Sequence, residues 1–246
     1  MLRLIDRTPG DPRLGLAIDE ALFEAGRLGG EAAIRFWVND RAVVIGRSQS
    51  AADEVDLVAA DELKVPVLRR ISGGGAVVHY PGNLNVSVIL RATDGLGSVG
   101  EVFRAFGEAV ASALASRGPV RVEDNALVLD GAKIAGAAQA RRGDTILYHT
   151  TLLLEPDEIP MNRWLRALRS GYAPHGVASR PRRTTTLSEH AGNAVDVEPI
   201  IDAISVAVGQ CLGEAIRDAK VGGAVLDRAR ELRDAKYGED AWNLAR

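Results

Sequence analysis

Residues 64–90, KVPVLRRISGGGAVVHYPGNLNVSVIL, constrain this chain more than any other stretch. Residues 64–68 are short and β-branched, bounded by a polar segment, and read as a buried strand; residues 85–90 alternate as a second strand. Between the strands lie Arg69 and Arg70, three consecutive glycines at 73–75, His79, and a Pro81-Gly82-Asn83 turn. Three missing β-carbons in a row let backbone N–H groups approach a ligand closely and reach dihedrals closed to other residues. Two guanidinium groups at the mouth of such a loop suit an anion, because their forks match carboxylate or phosphate oxygens and exposed amides add a concave nest. The bland alternative is a glycine-rich hairpin loop with two solvated arginines. The string is neither a Walker loop, lacking GxxxxGK[ST], nor a dinucleotide fingerprint, because no GxGxxG follows a strand and opens a helix.

The arginine pair, SGGGAVVH and the Pro-Gly-Asn turn together resemble the signature of lipoate-protein ligases in the biotin/lipoate ligase superfamily. Two more segments carry the resemblance in the same order. The first, RFWVNDRAVVIGRSQSAADEVD, is similar to an early hairpin and a loop with Gly46, Arg47, Gln49 and Glu54 that closes over an acyl group in that family. The second, DGAKIAGAAQARRGDTILYHTTLLL, is similar to the family's lysine-containing strand pair, with Lys133, Gly136, Gln139, His149 and Thr151 at the matching positions. Taken alone, Lys133 beside a turn is a surface charge and His149 a structural histidine. Small neighbours and an otherwise uncharged strand pair give Lys133 the better claim to face a site.

The resemblance implies an α+β fold, a mixed or antiparallel sheet flanked by helices like the catalytic domain of biotin and lipoyl ligases and of class II aminoacyl-tRNA synthetases. It implies ATP-dependent conversion of lipoate to lipoyl-AMP, then transfer to a lysine of a lipoyl carrier domain. Arg70 and the amides of Gly75, Ala76, Val77 and Val78 would hold ATP or the adenylate. Arg70, Gly73, Gly74, His79, Gly136 and His149 would surround lipoate, with Lys133 reaching both as an electrostatic catalyst. Mg²⁺ would accompany ATP, with Asp124 as a candidate ligand. Arg180, Arg182 or Arg183, in the basic loop 172–183, would meet phosphate. The implied carrier is an E2 subunit of a 2-oxoacid dehydrogenase or a glycine cleavage H protein. A catalytic domain over 1–218 and a helical appendage over 219–246 are expected. The accessory C-terminal domain of longer relatives is expected to be absent and supplied by a separately encoded protein.

Composition bounds the alternatives. With 46% hydrophobic residues in 246, the chain supports a large core, and 30 basic against 33 acidic residues lack the cationic excess of a general nucleic-acid binder. The one cysteine, Cys211, leaves no intrachain disulfide and no cysteine-cluster zinc site, fits a reducing cytoplasm, and reads as a small buried hydrophobe on a helix. A transferase of the same superfamily working through a cysteine thioester needs an activated thiolate near the motifs, where none stands. A degenerate or cysteine-independent lipoyl or octanoyl transferase and a noncatalytic lipoyl-binding subunit remain as alternatives. The amino terminus has no signal-peptide pattern, and no run of about eighteen apolar residues would span a membrane.

Along the rest of the chain, Asp11 and Pro12 open an amphipathic helix that Gly29 and Gly30 stop. Residues 33–38 and 42–46 read as a hairpin turned at Asn39-Asp40. Ser98 and Glu101 form a capping box before a helix ended by Gly118. Asp130-Gly131 turns one strand into the next, 161–169 reads as a short helix, and long helices begin at Glu198-Pro199 and at Ala224.

Overall fold

In the computed structural model, which describes residues 1–8, 10–92 and 96–245, the first element is a strand that the sequence does not announce, β1 (Leu2–Asp6). The Asp11 side chain then accepts the Arg13 N–H, and with Pro12 in the first turn, where no amide donor is needed, it starts α1 (Pro12–Arg27). β2 (Ala33–Trp37), β3 (Ala42–Ile45), α2 (Ala51–Glu54), α3 (Leu57–Glu62), β4 (Val67–Arg69), β5 (Val77–His79) and β6 (Asn83–Arg91) follow. α4 (Val99–Ala113) starts at the Ser98/Glu101 capping box, an arrangement worth about 1 kcal/mol. β7 (Arg121–Glu123), β8 (Ala126–Leu129), β9 (Ala132–Arg142) and β10 (Thr145–Leu153) form a meander. After them come α5 (Leu187–Ala191), α6 (Glu198–Leu212), β11 (Arg217–Ala219), α7 (Gly223–Leu232), a π-turn at Arg233–Tyr237 and α8 (Asp240–Asn243).

Eight strands form one sheet in the order β11-β1-β2-β6-β10-β9-β8-β7, parallel at the β11-β1-β2 end and antiparallel from β2 onward. β4, β3 and β5 form a second, smaller sheet. The expected α+β class with a mixed sheet flanked by helices is therefore what the chain adopts. Because strand side chains alternate faces, the large sheet has two unlike sides. Ile34, Phe36, Val86, Val88, Ile146 and Tyr148 pack with Val102, Phe106 and Val110 of α4 and Ile201, Ile204 and Val208 of α6. Behind the other face, Ala33, Ile89 and Leu147 pack with Leu16, Leu22 and Phe23 of α1 and with Ala229, Leu232 and Tyr237. A third core joins the small sheet to Trp164 and Leu165.

Several expectations change. β2 and β3 are not a hairpin: β2 pairs with β1 and β6, whereas β3 leaves for the small sheet. Asn39, read as one of the two turn residues, is buried, its amide on His79. The strand expected over 64–68 is confined to β4, because Lys64 takes a positive φ of 54°. The helix expected over 161–169 is two 3₁₀ turns, Met161–Arg163 and Arg166–Leu168. Cys211 lies on α6 as expected, but on its exposed face. Residues after 218, set apart as an appendage, share the α1 core through Ala229, Leu232 and Tyr237. Among the described residues no helix is long and apolar enough to cross a membrane.

Candidate active site

The face of the large sheet turned toward the small sheet carries polar side chains in two cross-strand rows, and that is unusual for a sheet interior. Strand register aligns Arg35, Ser87, His149 and Ala138 in one row, and Trp37, Asn85, Thr151 and Gly136 in the next. Beyond the second row the two sheets diverge around a cavity of about 910 Å³. Trp37, Asn85, Thr151 and Gly136 form its floor, Leu16, Val44 and Val77 an apolar wall, and the glycine loop with residues 177–182 its rim.

Lys133 enters this cavity from β9. Its side chain folds back over Gly136, where a Cβ would meet the amine nitrogen at 2.6 Å, so any side chain at 136 would displace the ammonium. Among the described residues the Lys133 ammonium has no hydrogen-bonding or ion-pairing partner. Burial, followed by the nearby charges of Arg182 and Arg70, pushes its pKa below that of an ordinary lysine. A half-buried cation near two more cations, and in contact with no carboxylate among the described residues, is held at a cost that an anionic ligand would remove.

Arg70 works differently from the expectation that it contacts ligand with a free fork. It is buried, and its guanidinium donates to the carbonyls of Val44, Gly73 and Gly75 and to Ser72 Oγ. Burial pulls its pKa down to about 10. Arg70 thus shapes the glycine loop from inside, leaving its positive field directed at the cavity. The loop also needs Gly46, because a Cβ there would stand 2.1 Å from the Gly74 carbonyl oxygen. Gly74, Gly75, Ala76, Val77 and Val78 line the cavity; Gly73 does not.

His149 anchors the same loop. Its Nε2 lies 2.6 Å from Ser72 Oγ, and its Nδ1 faces Asp19 at 3.9 Å. Asp19 accepts hydrogen bonds from Arg35 at 2.7 Å and from Ser87 Oγ at 2.6 Å. Burial raises the Asp19 pKa, but Arg35, His149 and Ser87 outweigh it and hold the carboxyl below the usual range. Burial lowers the His149 pKa against the pull of Asp19. His79, deeper still, is brought down to about 3 by burial and by the fields of His149 and Arg70, so it is neutral at physiological pH. Neither Asp19 nor Arg35 was singled out from the sequence; the available signal was a pair of opposite charges inside the apolar strings LAIDEALF and AIRFW.

The loop 172–183 closes the rim. Ser179 Oγ donates to the Glu54 carboxylate at 2.6 Å and accepts from the Ala76 amide at 2.8 Å and from Gln49 Nε2 at 3.1 Å. Tyr172 donates its hydroxyl to the same Glu54. Gln49 and Glu54, expected in a loop that closes over ligand, are buried and act as the latch for a second loop. Arg180 and Arg182 line the cavity, whereas Arg183 contributes its carbonyl to the Lys133 amide. Arg182 is paired with Glu123 at 2.7 Å; Arg180 has no such partner among the described residues.

Two expected residues stand elsewhere. Asp124 sits at the β7–β8 turn with its side chain exposed, 3.9 Å from Arg182 and away from the cavity lining. Gln139 lies on the opposite face of β9 and bonds the Val99 carbonyl at the start of α4. Among the described residues no cluster of three His, Cys, Asp or Glu side chains forms a metal cage.

Comparison with known proteins places this geometry in context. Residues 11–209 match the family described as the lipoyl protein ligase A/B catalytic domain. The chain is 30% identical to lipoate-protein ligase A subunit 1 of Thermoplasma acidophilum, over 98% of this chain and 95% of that protein. It is also 30% identical to an octanoyltransferase of Symbiobacterium thermophilum, over 98% and 97%. Among solved structures, a bi-partite lipoate protein ligase of T. acidophilum, studied with its E2 lipoyl domain, superposes with a TM-score of 0.85 at 30% identity, covering 100% of this chain and 96% of that one. A lipoate-protein ligase A bound with ATP gives 0.83 at 29% identity, covering 99% and 97%.

Proposed function

This chain belongs to the lipoyl protein ligase A/B catalytic-domain family, and on that premise we propose that it activates lipoate with ATP and transfers the lipoyl group to a lysine of a carrier domain. A carboxylate and an amine at neutral pH form an inert salt, so the acid must first be given a leaving group. In the first step the lipoate carboxylate attacks the α-phosphorus of ATP, forming lipoyl-AMP and releasing pyrophosphate. In the second, a deprotonated carrier lysine attacks the acyl carbonyl, an amide bond forms, AMP leaves, and the amine surrenders one proton.

The observation that carries this reading is the Lys133 ammonium, without a partner among the described residues, at the meeting of an apolar wall and a rim of arginines. Both reacting groups, carboxylate and α-phosphate, are anionic and repel each other. A cation between them offsets that repulsion, by about 4 kcal/mol per unit-charge pair 4 Å apart at an effective dielectric near 20, against about 1 kcal/mol in water. The apolar wall of Leu16, Val44 and Val77 suits the acyl chain, with Trp37, His79 and His149 beside it, while Arg180 and the amides of residues 75–78 other than that of Ala76, which Ser179 Oγ takes, are the donors for adenylate. Mg²⁺ enters as the MgATP substrate: of the lining carboxylates, Asp157 is paired with Arg41 and Glu189 accepts from Thr186, which fits a metal held chiefly by phosphates and water and gives Asp124 no part. For the carrier we favour an E2 or glycine cleavage H type lipoyl domain, with a separately encoded accessory protein; the bi-partite relative supports both a carrier and a second subunit.

The relationship to an octanoyltransferase raises thioester transfer as a second reading. Cys211 is the sole thiol, and it projects from α6, whose buried side packs on the sheet face opposite the cavity. Burial and Glu108 raise its pKa, the wrong direction for a nucleophile. Lipoate-dependent exchange of pyrophosphate into ATP decides between the readings: exchange that survives Cys211→Ser supports the ligase, and an acyl thioester trapped on Cys211 without exchange overturns it.

A further inference from the structure

A directed chain of hydrogen bonds ends on the cavity floor. Asn39 Nδ2 lies 2.9 Å from His79 Nδ1. An amide nitrogen can only donate, so Nδ1 accepts and the ring proton sits on Nε2. Nε2 faces Thr151 Oγ1 at 3.2 Å, which leaves the threonine hydroxyl proton for Asn85 Oδ1, 2.7 Å away. The sequence of donors fixes the Asn85 amide with its oxygen toward Thr151. Its Nδ2, buried, has no acceptor in the protein among the described residues, and Asn85 lines the cavity. Buried donors are nearly always paired in a working protein, so an orphan on a cavity wall finds its acceptor in whatever fills the cavity.

Register gives the depth of that donor. Asn85, Thr151 and Gly136 are neighbours across β6, β10 and β9, and the Lys133 ammonium rests over Gly136. With strands about 4.8 Å apart, the floor runs roughly 10 Å from the ammonium to Asn85. That span suits a medium-length acyl chain whose carboxylate is at Lys133, and its far end then meets Asn85 and Trp37.

We propose that Asn85 is a specificity-determining residue that selects acids carrying a hydrogen-bond acceptor near the far end of the chain, and so favours lipoate over octanoate. The inference rests on the ligase reading of this cavity. A plain hydrocarbon chain leaves the buried Nδ2 unpaired, whereas a dithiolane sulfur offers it a weak acceptor and a ketone oxygen a strong one.

The test compares lipoate, octanoate and an octanoate bearing a ketone at its sixth carbon in pyrophosphate exchange and in isothermal titration. The wild-type protein is expected to favour the ketone acid and lipoate over octanoate by about tenfold or more in kcat/KM. Asn85→Leu should bring the ratios near one, mainly by weakening the two acceptor-bearing acids, and Thr151→Val, which frees the amide to turn, should remove part of the preference. Equal use of octanoate and the ketone acid by the wild type, or ratios unchanged in a folded Asn85→Leu protein, overturns the proposal. Absence of exchange with every acid counts against the ligase reading instead, and the titrations then still rank the acids and judge Asn85 alone.

Discussion

Trp242 and Arg69 hold each other by two hydrogen bonds of opposite sense: the indole Nε1 donates to the Arg69 carbonyl at 2.8 Å, and Arg69 Nε donates to the Trp242 carbonyl at 3.0 Å. The same guanidinium reaches the carbonyls of Gly46, Arg47, Gln49 and Ala245. Arg69 therefore joins the segment at 242–245 to the segment at 46–49, and its neighbour in sequence is the residue that shapes the glycine loop. Trp242→Ala is expected to lower stability by about 2 kcal/mol, seen as a lower urea midpoint at unchanged slope, and to weaken lipoate binding measured by titration. An unaltered midpoint would show that the contact is incidental.

Lys133→Met should abolish pyrophosphate exchange while raising the thermal midpoint by on the order of a few °C. The sign follows from the lowered pKa: the folded protein holds this amine charged at a penalty that the unfolded chain does not feel. In the wild type that penalty is present at neutral pH and is relieved as pH rises through the depressed pKa, so the stability difference between the two proteins should shrink in alkaline buffer. Lys133→Arg should also fail in exchange, because a planar fork does not replace a compact ammonium over Gly136. A methionine variant that exchanges at the wild-type rate rules out the assigned role.

Ser179→Ala removes the hydroxyl that joins Ala76, Gln49 and Glu54, and leaves a buried carboxylate short of a donor. Loop 172–183 should open more often, by about tenfold for each 1.4 kcal/mol lost. Limited trypsin digestion reads this out as faster cleavage after Arg182, with the Arg180-Pro181 bond resistant. Equal cleavage of both proteins would mean that Ser179 does not hold the loop.

Acid should weaken the fold through His79. The unfolded chain takes up this proton near pH 6.5, while the folded protein resists it until about pH 3. Stability therefore falls as pH drops through that window, with a limiting slope of about 1.4 kcal/mol per pH unit for one proton. His79→Gln should have a flatter stability profile between pH 6 and 4, even if it is less stable at pH 7. A parallel profile would show that other groups dominate acid unfolding.

The sequence disclosed much of this arrangement because its motifs act locally. The Ser98/Glu101 capping box, the Asp130-Gly131 turn and the apolar stripes of α1, α4 and α6 are set by residues a few positions apart. Lys133, Arg70 and the glycine loop were legible as one site through three separated motifs. What stayed hidden depends on partners far along the chain. β1, β5 and β11 are too short to show a period, and the path of β2 and β3 into different sheets turns on Asn39 finding His79. Arg70 could be read as a ligand fork because nothing in the string RRISGGG shows that its donors turn inward to carbonyls. Asp19, Arg35 and Asn85 fall in apolar runs, where a polar residue gives no sign of whether it meets a partner or a cavity.

β1 is bordered on one side by β2 and on the other by β11, and Arg3 and Asp218, which bond across that second border, stand 215 residues apart. During translation, then, the edge of the large sheet stays open until β11 is made, and Arg69 waits still longer for Trp242. Closure of the outermost strand and final seating of the residues beside the glycine loop wait until residues 217–245 have been made. A nascent chain stalled before residue 217 would carry every motif of the site and still expose the edge of β1, a surface that invites pairing with other strands.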